Sequence, residues 1–248
     1  MTIPFWLLPV FFAIALIYSM MGFGGGSSYL AFLALAGLPY QNIPPIALIC
    51  NIIVTGGGLW HFYRGGYLKF ERVLPYLVLS IPMAYLGGRT SIGKDVFSLL
   101  LGLSLFVVAL RMLLPEKLFE VSRQVSAKEA WTIGLPLGGF IGFLSGLVGI
   151  GGGIFLSPLL LLMKWVNVKE AAAAASLFIA ANSLAGLFGQ IHKGTVEVGS
   201  MLPLGLAVFI GGQIGSRLGA YHLPKIRLQQ MFAVLILYVS VRLLLGLL

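Results

Sequence analysis

The chain has 248 residues, 59% of them apolar and only 9% charged, with 16 Lys and Arg against seven Asp and Glu and a mean hydropathy of +1.01. Soluble domains carry about 25% charged residues, so the composition excludes a soluble globular protein and leaves an all-α polytopic membrane protein. Alternating segments of ~10 residues, the mark of a transmembrane barrel, are absent, and a single cysteine, Cys50, excludes an internal disulfide.

In chain order the apolar segments cover 4–21, 27–36, 43–63, 73–89 and 95–114, then 129–148, 154–163, 171–191, 198–216 and 227–247. No basic stretch precedes the first, so it reads as a membrane segment and no cleavable signal peptide is expected. It ends in GFGGGSSYL, where Gly22, Gly24, Gly25 and Gly26 crowd a stretch otherwise suited to a helix. Each glycine weakens a helix by roughly 1 kcal/mol relative to alanine, so the cluster marks a break. The segment after it, 27–36, is ten residues long, about 15 Å of helix, against a hydrocarbon core near 30 Å. It cannot span alone. The break therefore lies at membrane depth, where irregular backbone persists only if protein covers it or it lines a cavity.

The polar stretch 115–128 divides the segments five and five, and the second five repeat the first at an offset of 127 to 131. GFGGG at 22 faces GIGGG at 149. Asn51, His61 and Arg64-Gly65 face Asn182, His192 and Lys193-Gly194. Leu86-Gly87-Gly88-Arg89 faces Ile214-Gly215-Ser216-Arg217, and Lys94 and Arg111 face Lys225 and Arg242. Several landmarks in one order indicate an internal duplication, with repeats at 1–114 and 129–248. Most loop cations fall in 64–72, 115–128 and 217–227. Placing those loops inside makes the second repeat inverted relative to the first, with both termini outside.

All seven acidic residues, Glu71, Asp95, Glu116, Glu120, Glu129, Glu170 and Glu197, fall in or beside loops. Carriers of cations or protons usually keep a carboxylate at mid-span, so this interior suits an anion. A short helix starting inside the bilayer exposes unpaired N–H groups and its positive dipole end, and such a start binds anions. Paired broken helices of this kind hold the substrate in many transporters. The expected contacts are Gly24, Gly25, Gly26, Ser27 and Ser28 in the first repeat and Gly151, Gly152 and Gly153 in the second. Asn51 and Thr55 share a face of the third segment, Asn182 lies on the corresponding face of the eighth, and Gln190 is polar within the same apolar run.

Each candidate has a plainer reading. Glycines also pack membrane helices closely, and the AAAAAS run at 171–176 reads as packing alone. His61 and His192 are candidates for proton coupling or for the headgroup region. Arg89 and Arg217 could attract anions or simply snorkel at helix ends. Trp6, Trp60, Trp131 and Trp165 fall near segment ends, as in an interfacial belt. No strand precedes either glycine cluster, so a nucleotide-binding loop is not expected. Nothing calls for a cofactor, a metal ion or a nucleic acid.

Two GxGGG clusters, each followed by a helix carrying Asn and ending near His61-x-x-Arg64-Gly65 or His192-Lys193-Gly194, resemble the TauE/SafE sulfite exporter family over residues 4–247. The resemblance implies a transporter exporting small sulfur-containing or carboxylated anions, such as sulfite, sulfoacetate and related sulfonates. Composition and spacing lead only to an anion. The first cluster departs from the second in reading Ser27-Ser28-Tyr29 where the second has Ile154-Phe155-Leu156, so the first repeat is expected to hold more polar contacts. The reading is a secondary transporter in the cell membrane with the bilayer and a small anion as partners, and a proton and a second copy as candidates. The alternative is an anion channel.

Overall fold

Glycine at every fourth position gives a helix a groove into which a neighbour's backbone can press. The computed structural model describes residues 4–113, 126–162, 166–193, 201–221 and 226–245. Among them are ten helices and no strand: α1 (Leu7–Ser19), α2 (Gly26–Leu35), α3 (Ile43–Arg64), α4 (Phe70–Arg89), α5 (Lys94–Leu113), α6 (Ala127–Val148), α7 (Gly153–Leu162), α8 (Val168–Ile191), α9 (Leu202–Tyr221) and α10 (Ile226–Leu244). On α6, Gly134, Gly138, Gly142 and Gly146 lie against α4, where a methyl group would overlap Pro75 and the carbonyl oxygens of Tyr76, Ser80 and Ala84. On α9, Gly211, Gly215 and Gly219 press in the same way on the carbonyls of Phe12 and Leu16 in α1 and of Met20 at its C-cap. Two close pairs, α4 with α6 and α1 with α9, thus join the sequence halves by interleaving them.

Between these pairs, α3 and α8 pack on each other, with α9 also against α3 and α4 also against α8. Helix α5 pairs with α10, where the Ser240 hydroxyl donates to the Gly102 carbonyl at 2.8 Å. Three stretches, all of α3, Lys128–Val148 and all of α8, are long and apolar enough to cross a membrane. The outer faces carry exposed apolar side chains, such as Leu99, Leu103, Phe106 and Leu110 on α5 and Leu206, Phe209 and Ile210 on α9. Patches of that extent face lipid rather than water in a chain of this hydropathy.

Local chemistry sets the helix starts. Two capping boxes, Ser126 with Glu129 and Asn167 with Glu170, open α6 and α8, while Pro44 and Pro45 occupy the first turn of α3. The expected linker 115–128 falls, apart from 126–128, outside the described residues, as do Glu197, Gly194, Lys225 and Trp165. Helix α9 runs to Tyr221, beyond the expected end at 216, because Arg217 sits on an exposed face and does not stop the helix.

Candidate functional site

The chain leaves α1 through backbone bonds from Met21 and Phe23 N–H to the Tyr18 carbonyl, at 3.0 and 2.9 Å. Gly22 and Gly25 then take φ of +75° and +92°, a left-handed backbone that other residues adopt at a penalty. Gly25 is the N-cap of α2, and no side chain caps that start. The second cluster repeats the device. Gly149, Gly151 and Gly152 have φ of +94°, +85° and +78°, and α7 begins at Gly153. Both clusters are therefore turns into a ten-residue helix, the first from the 13-residue α1 and the second from the 22-residue α6.

The two turns meet at Asn51, which is fully buried. A methyl on Gly24 would overlap Asn51 Oδ1, and one on Gly26 would lie 2.5 Å from the Ile150 oxygen and 2.6 Å from Asn51 Nδ2. Asn51 Nδ2 donates to the carbonyls of Ile150 and Gly149 at 3.3 and 3.5 Å, the outer limit of hydrogen bonding. It covers two carbonyl oxygens that would otherwise present negative charge beside the start of α2. The reverse tie comes from α8, whose Ser176 hydroxyl donates to the Gly22 carbonyl at 2.9 Å. Each central helix thus holds the glycine turn of the other sequence half.

Around this junction lie buried polar atoms without a hydrogen-bond partner among the described residues: Asn51 Oδ1, Asn182 Oδ1, Ser145 Oγ, Ser183 Oγ and Tyr29 Oη. A methyl on Gly151 would sit 3.2 Å from Ser183 Oγ, one on Gly152 3.5 Å from Ser145 Cβ, and one on Gly25 3.1 Å from Tyr29 Oη. An unpaired buried polar group costs about 1–3 kcal/mol, so this concentration at the turns needs a reason.

The other candidates are placed as follows. Ser28 donates to the Tyr18 hydroxyl at 2.7 Å, and Ser27 is a second partner of that hydroxyl. Thr55 donates to the Asn51 carbonyl at 2.6 Å, within its own helix, and Asn182 donates to the Phe178 carbonyl at 2.9 Å. Gln190, buried, donates to the Gly146 carbonyl at 3.3 Å, three residues before the second turn. His61, half-buried, pairs with Gln213 Oε1 at 3.2 Å, across the sequence halves. His192 is exposed, with Nδ1 2.8 Å from the Phe188 carbonyl and its ring edge-on to Tyr85. Arg89 and Arg217 are exposed near the C-terminal ends of α4 and α9, apart from the junction. Sequence reasoning passed over Ser145, Ser176 and Ser183. Only their positions near a cluster or beside Asn182 could have marked them.

The profile of the family described as sulfite exporter TauE/SafE matches residues 7–243. The chain belongs to the TauE/SafE family. Among curated relatives, a Sinorhizobium fredii protein named "Probable membrane transporter protein y4hK" is 33% identical over 94% of this chain and 95% of its own. "Probable membrane transporter protein YunE" of Bacillus subtilis is 26% identical over 88% and 89%, and "Probable membrane transporter protein YfcA" of Escherichia coli K12 is 28% identical over 86% and 80%. No solved structure matches. TauE/SafE membership makes this a membrane transporter, and the lipid-facing exterior of the helix bundle accords with it.

Proposed function

We propose that this protein is a secondary carrier exporting small oxyanions, sulfite and sulfonates such as sulfoacetate, across the cell membrane. The anion is held at the junction of the two glycine turns. The observation that carries this reading is the meeting of Gly24–Gly26 and Gly149–Gly153 around Asn51, among buried hydroxyls that lack partners. The uncapped start of α2 supplies N–H donors and a positive dipole end. Ser145, Ser183 and Tyr29 add O–H donors at membrane depth, and Asn51 screens the Gly149 and Ile150 carbonyls. Gly151, Gly152, Gly153 and Asn182 complete the far wall.

In this reading the halves 1–114 and 129–248 are inverted repeats of five segments joined by 115–128. The interleaved pairs α1–α9 and α4–α6 move against the α3–α8 centre to expose the anion to one side and then the other. Protons couple through His61, whose imidazole is held by Gln213, and the carrier assembles as a homodimer.

The test uses purified protein in liposomes on a solid-supported membrane, with concentration jumps of sulfite, sulfoacetate, thiosulfate, acetate and chloride. A saturable current selective for sulfite and sulfonates, with counterflow, supports a carrier. Unsaturable current without counterflow indicates the channel alternative. Silence for every anion at every pH gradient refutes the reading.

A further inference from the structure

At the C-terminal end of α8, a cavity of about 240 Å³ opens beside Lys193. Its wall grades inward. Gln41 and Ser91 are exposed at the rim, while Pro44, Leu147 and Gln190 are buried at the floor. That floor lies directly above the second glycine turn. A methyl on Gly149 would sit 2.8 Å from Pro44 Cα, and Gln190 holds the carbonyl of Gly146. Lys193 is half-buried in this wall and makes no ion pair or side-chain hydrogen bond among the described residues. Burial pushes its ammonium below the ordinary lysine value, as expected of a cation drawn out of water without an anion beside it.

At the opposite end of the central helices Lys169 and Arg72 are engaged. Lys169 Nζ donates to the Tyr67 hydroxyl and the Ala220 carbonyl at 3.2 and 3.0 Å, and Arg72 reaches Glu170 at 3.5 Å. Phe62, Ala172, Ala173 and Ala220 pack beneath them. The cation at this end has its partners. Lys193, at the cavity end, has none among the described residues.

We infer that the cavity is an anion vestibule on the face opposite the 64–72 loop, the exit side for export, in which Lys193 concentrates small oxyanions that exchange with the glycine junction over the Pro44–Leu147 floor. It rests on the carrier reading for what the anion does next, but not for the cavity's own preference for anions. A cation in a cleft with low-dielectric walls raises the local concentration of counter-ions by about tenfold or more, which suits the exchange of anions between the junction and that side. Lys193 is here an attracting and positioning residue, since the floor separates it from the turn.

The test places a reporter thiol at the rim, Ser91→Cys; the native Cys50 is buried. Reaction with the anionic reagent 2-sulfonatoethyl methanethiosulfonate is compared with its trimethylammonium counterpart, each scaled to its rate with a free thiol. Lys193 should favour the anionic reagent, and the anionic-to-cationic ratio should fall about tenfold in Lys193→Glu and by less in Lys193→Gln. An unchanged ratio, or a thiol that neither reagent reaches, overturns the vestibule. In liposomes, Lys193→Gln should raise the apparent KM for sulfite several-fold with the maximal rate retained, and Lys193→Arg should restore it. A changed labelling ratio with unchanged KM overturns the link to transport. If the ratio responds to Lys193 but the native protein moves no anion, the vestibule's preference stands and the carrier reading falls.

Discussion

Gly24 lies in the first glycine turn and Asn51 on α3 of the same half, and the structure puts the Cα of one against the side-chain amide of the other. Gly24→Ala adds a methyl that would overlap Asn51 Oδ1, with Asn51 Cγ at 2.9 Å and Cα at 3.2 Å. Overpacking of this kind costs about 1–3 kcal/mol, and no left-handed φ adds to it at this position. Asn51→Ala leaves the Gly149 and Ile150 carbonyls without their long hydrogen bonds, about 1–3 kcal/mol for a buried acceptor left unpaired, offset in part by loss of the unpaired Oδ1, so its net cost is about 1 kcal/mol. Separate effects would sum to about 2–4 kcal/mol. In the double variant the methyl occupies space vacated by the amide, and the loss should stay near that of Asn51→Ala alone. The coupling is then about 1–3 kcal/mol. Thermal unfolding of the detergent-solubilised protein measures it, each kcal/mol moving Tm by about 2–4 °C in a chain of this size. Additivity within about 0.5 kcal/mol would refute the contact, and with it the junction.

Three further outcomes follow from the same geometry. Ser145→Ala and Ser183→Ala remove hydroxyls that have no partner, so Tm should hold or rise while the apparent KM for sulfite rises several-fold; a lowered Tm with unchanged transport would make them structural. His61→Gln should abolish proton uptake driven by a sulfite gradient while His192→Gln leaves it intact, because His61, unlike His192, hydrogen-bonds a side chain of the other half; equal effects would remove the proposed coupling role. Gly142→Leu drives a side chain into the Ser80 carbonyl of α4 and should abolish folded protein in a membrane expression assay, whereas Gly56→Ala, with open space around it and no left-handed φ, should express at near-native levels; the reverse order would contradict the α4–α6 packing.

Much of the fold was readable because membrane helices announce themselves by length and hydropathy. The short segments at 27–36 and 154–163 became α2 and α7, each within one residue, since glycine clusters leave little freedom about where a helix can start. Helix α8 begins at Val168 rather than 171, and the reason was in the sequence: Asn167 and Glu170 form a capping box three residues apart. Helix α9 overran its expected end because an arginine on a lipid-facing helix can snorkel without ending it.

The site was legible in part. Asn51 and the glycines were named by the sequence pattern, but not that Asn51 would reach the other half's turn, because a side chain's target depends on how α3 and α8 cross. The alanine run was read as a packing surface, and Ala172 does lie against Gly22. The last residue of that run, Ser176, also anchors the turn through its hydroxyl. Hydroxyls in apolar helices often bond their own backbone, as Thr55 does, so composition cannot separate them from Ser145 and Ser183, which do not.

The central claim is that a small oxyanion sits where the two glycine turns meet. Glycine-selective 15N labelling of the protein in bilayers, titrated with sulfite, addresses it most directly. Saturable shifts confined to the amides of Gly22–Gly26 and Gly149–Gly153, with the α6 packing glycines Gly134 and Gly138 unmoved, are the expected result. Shifts that leave both turns untouched, or no saturable shift anywhere, would contradict it and return these glycines to packing.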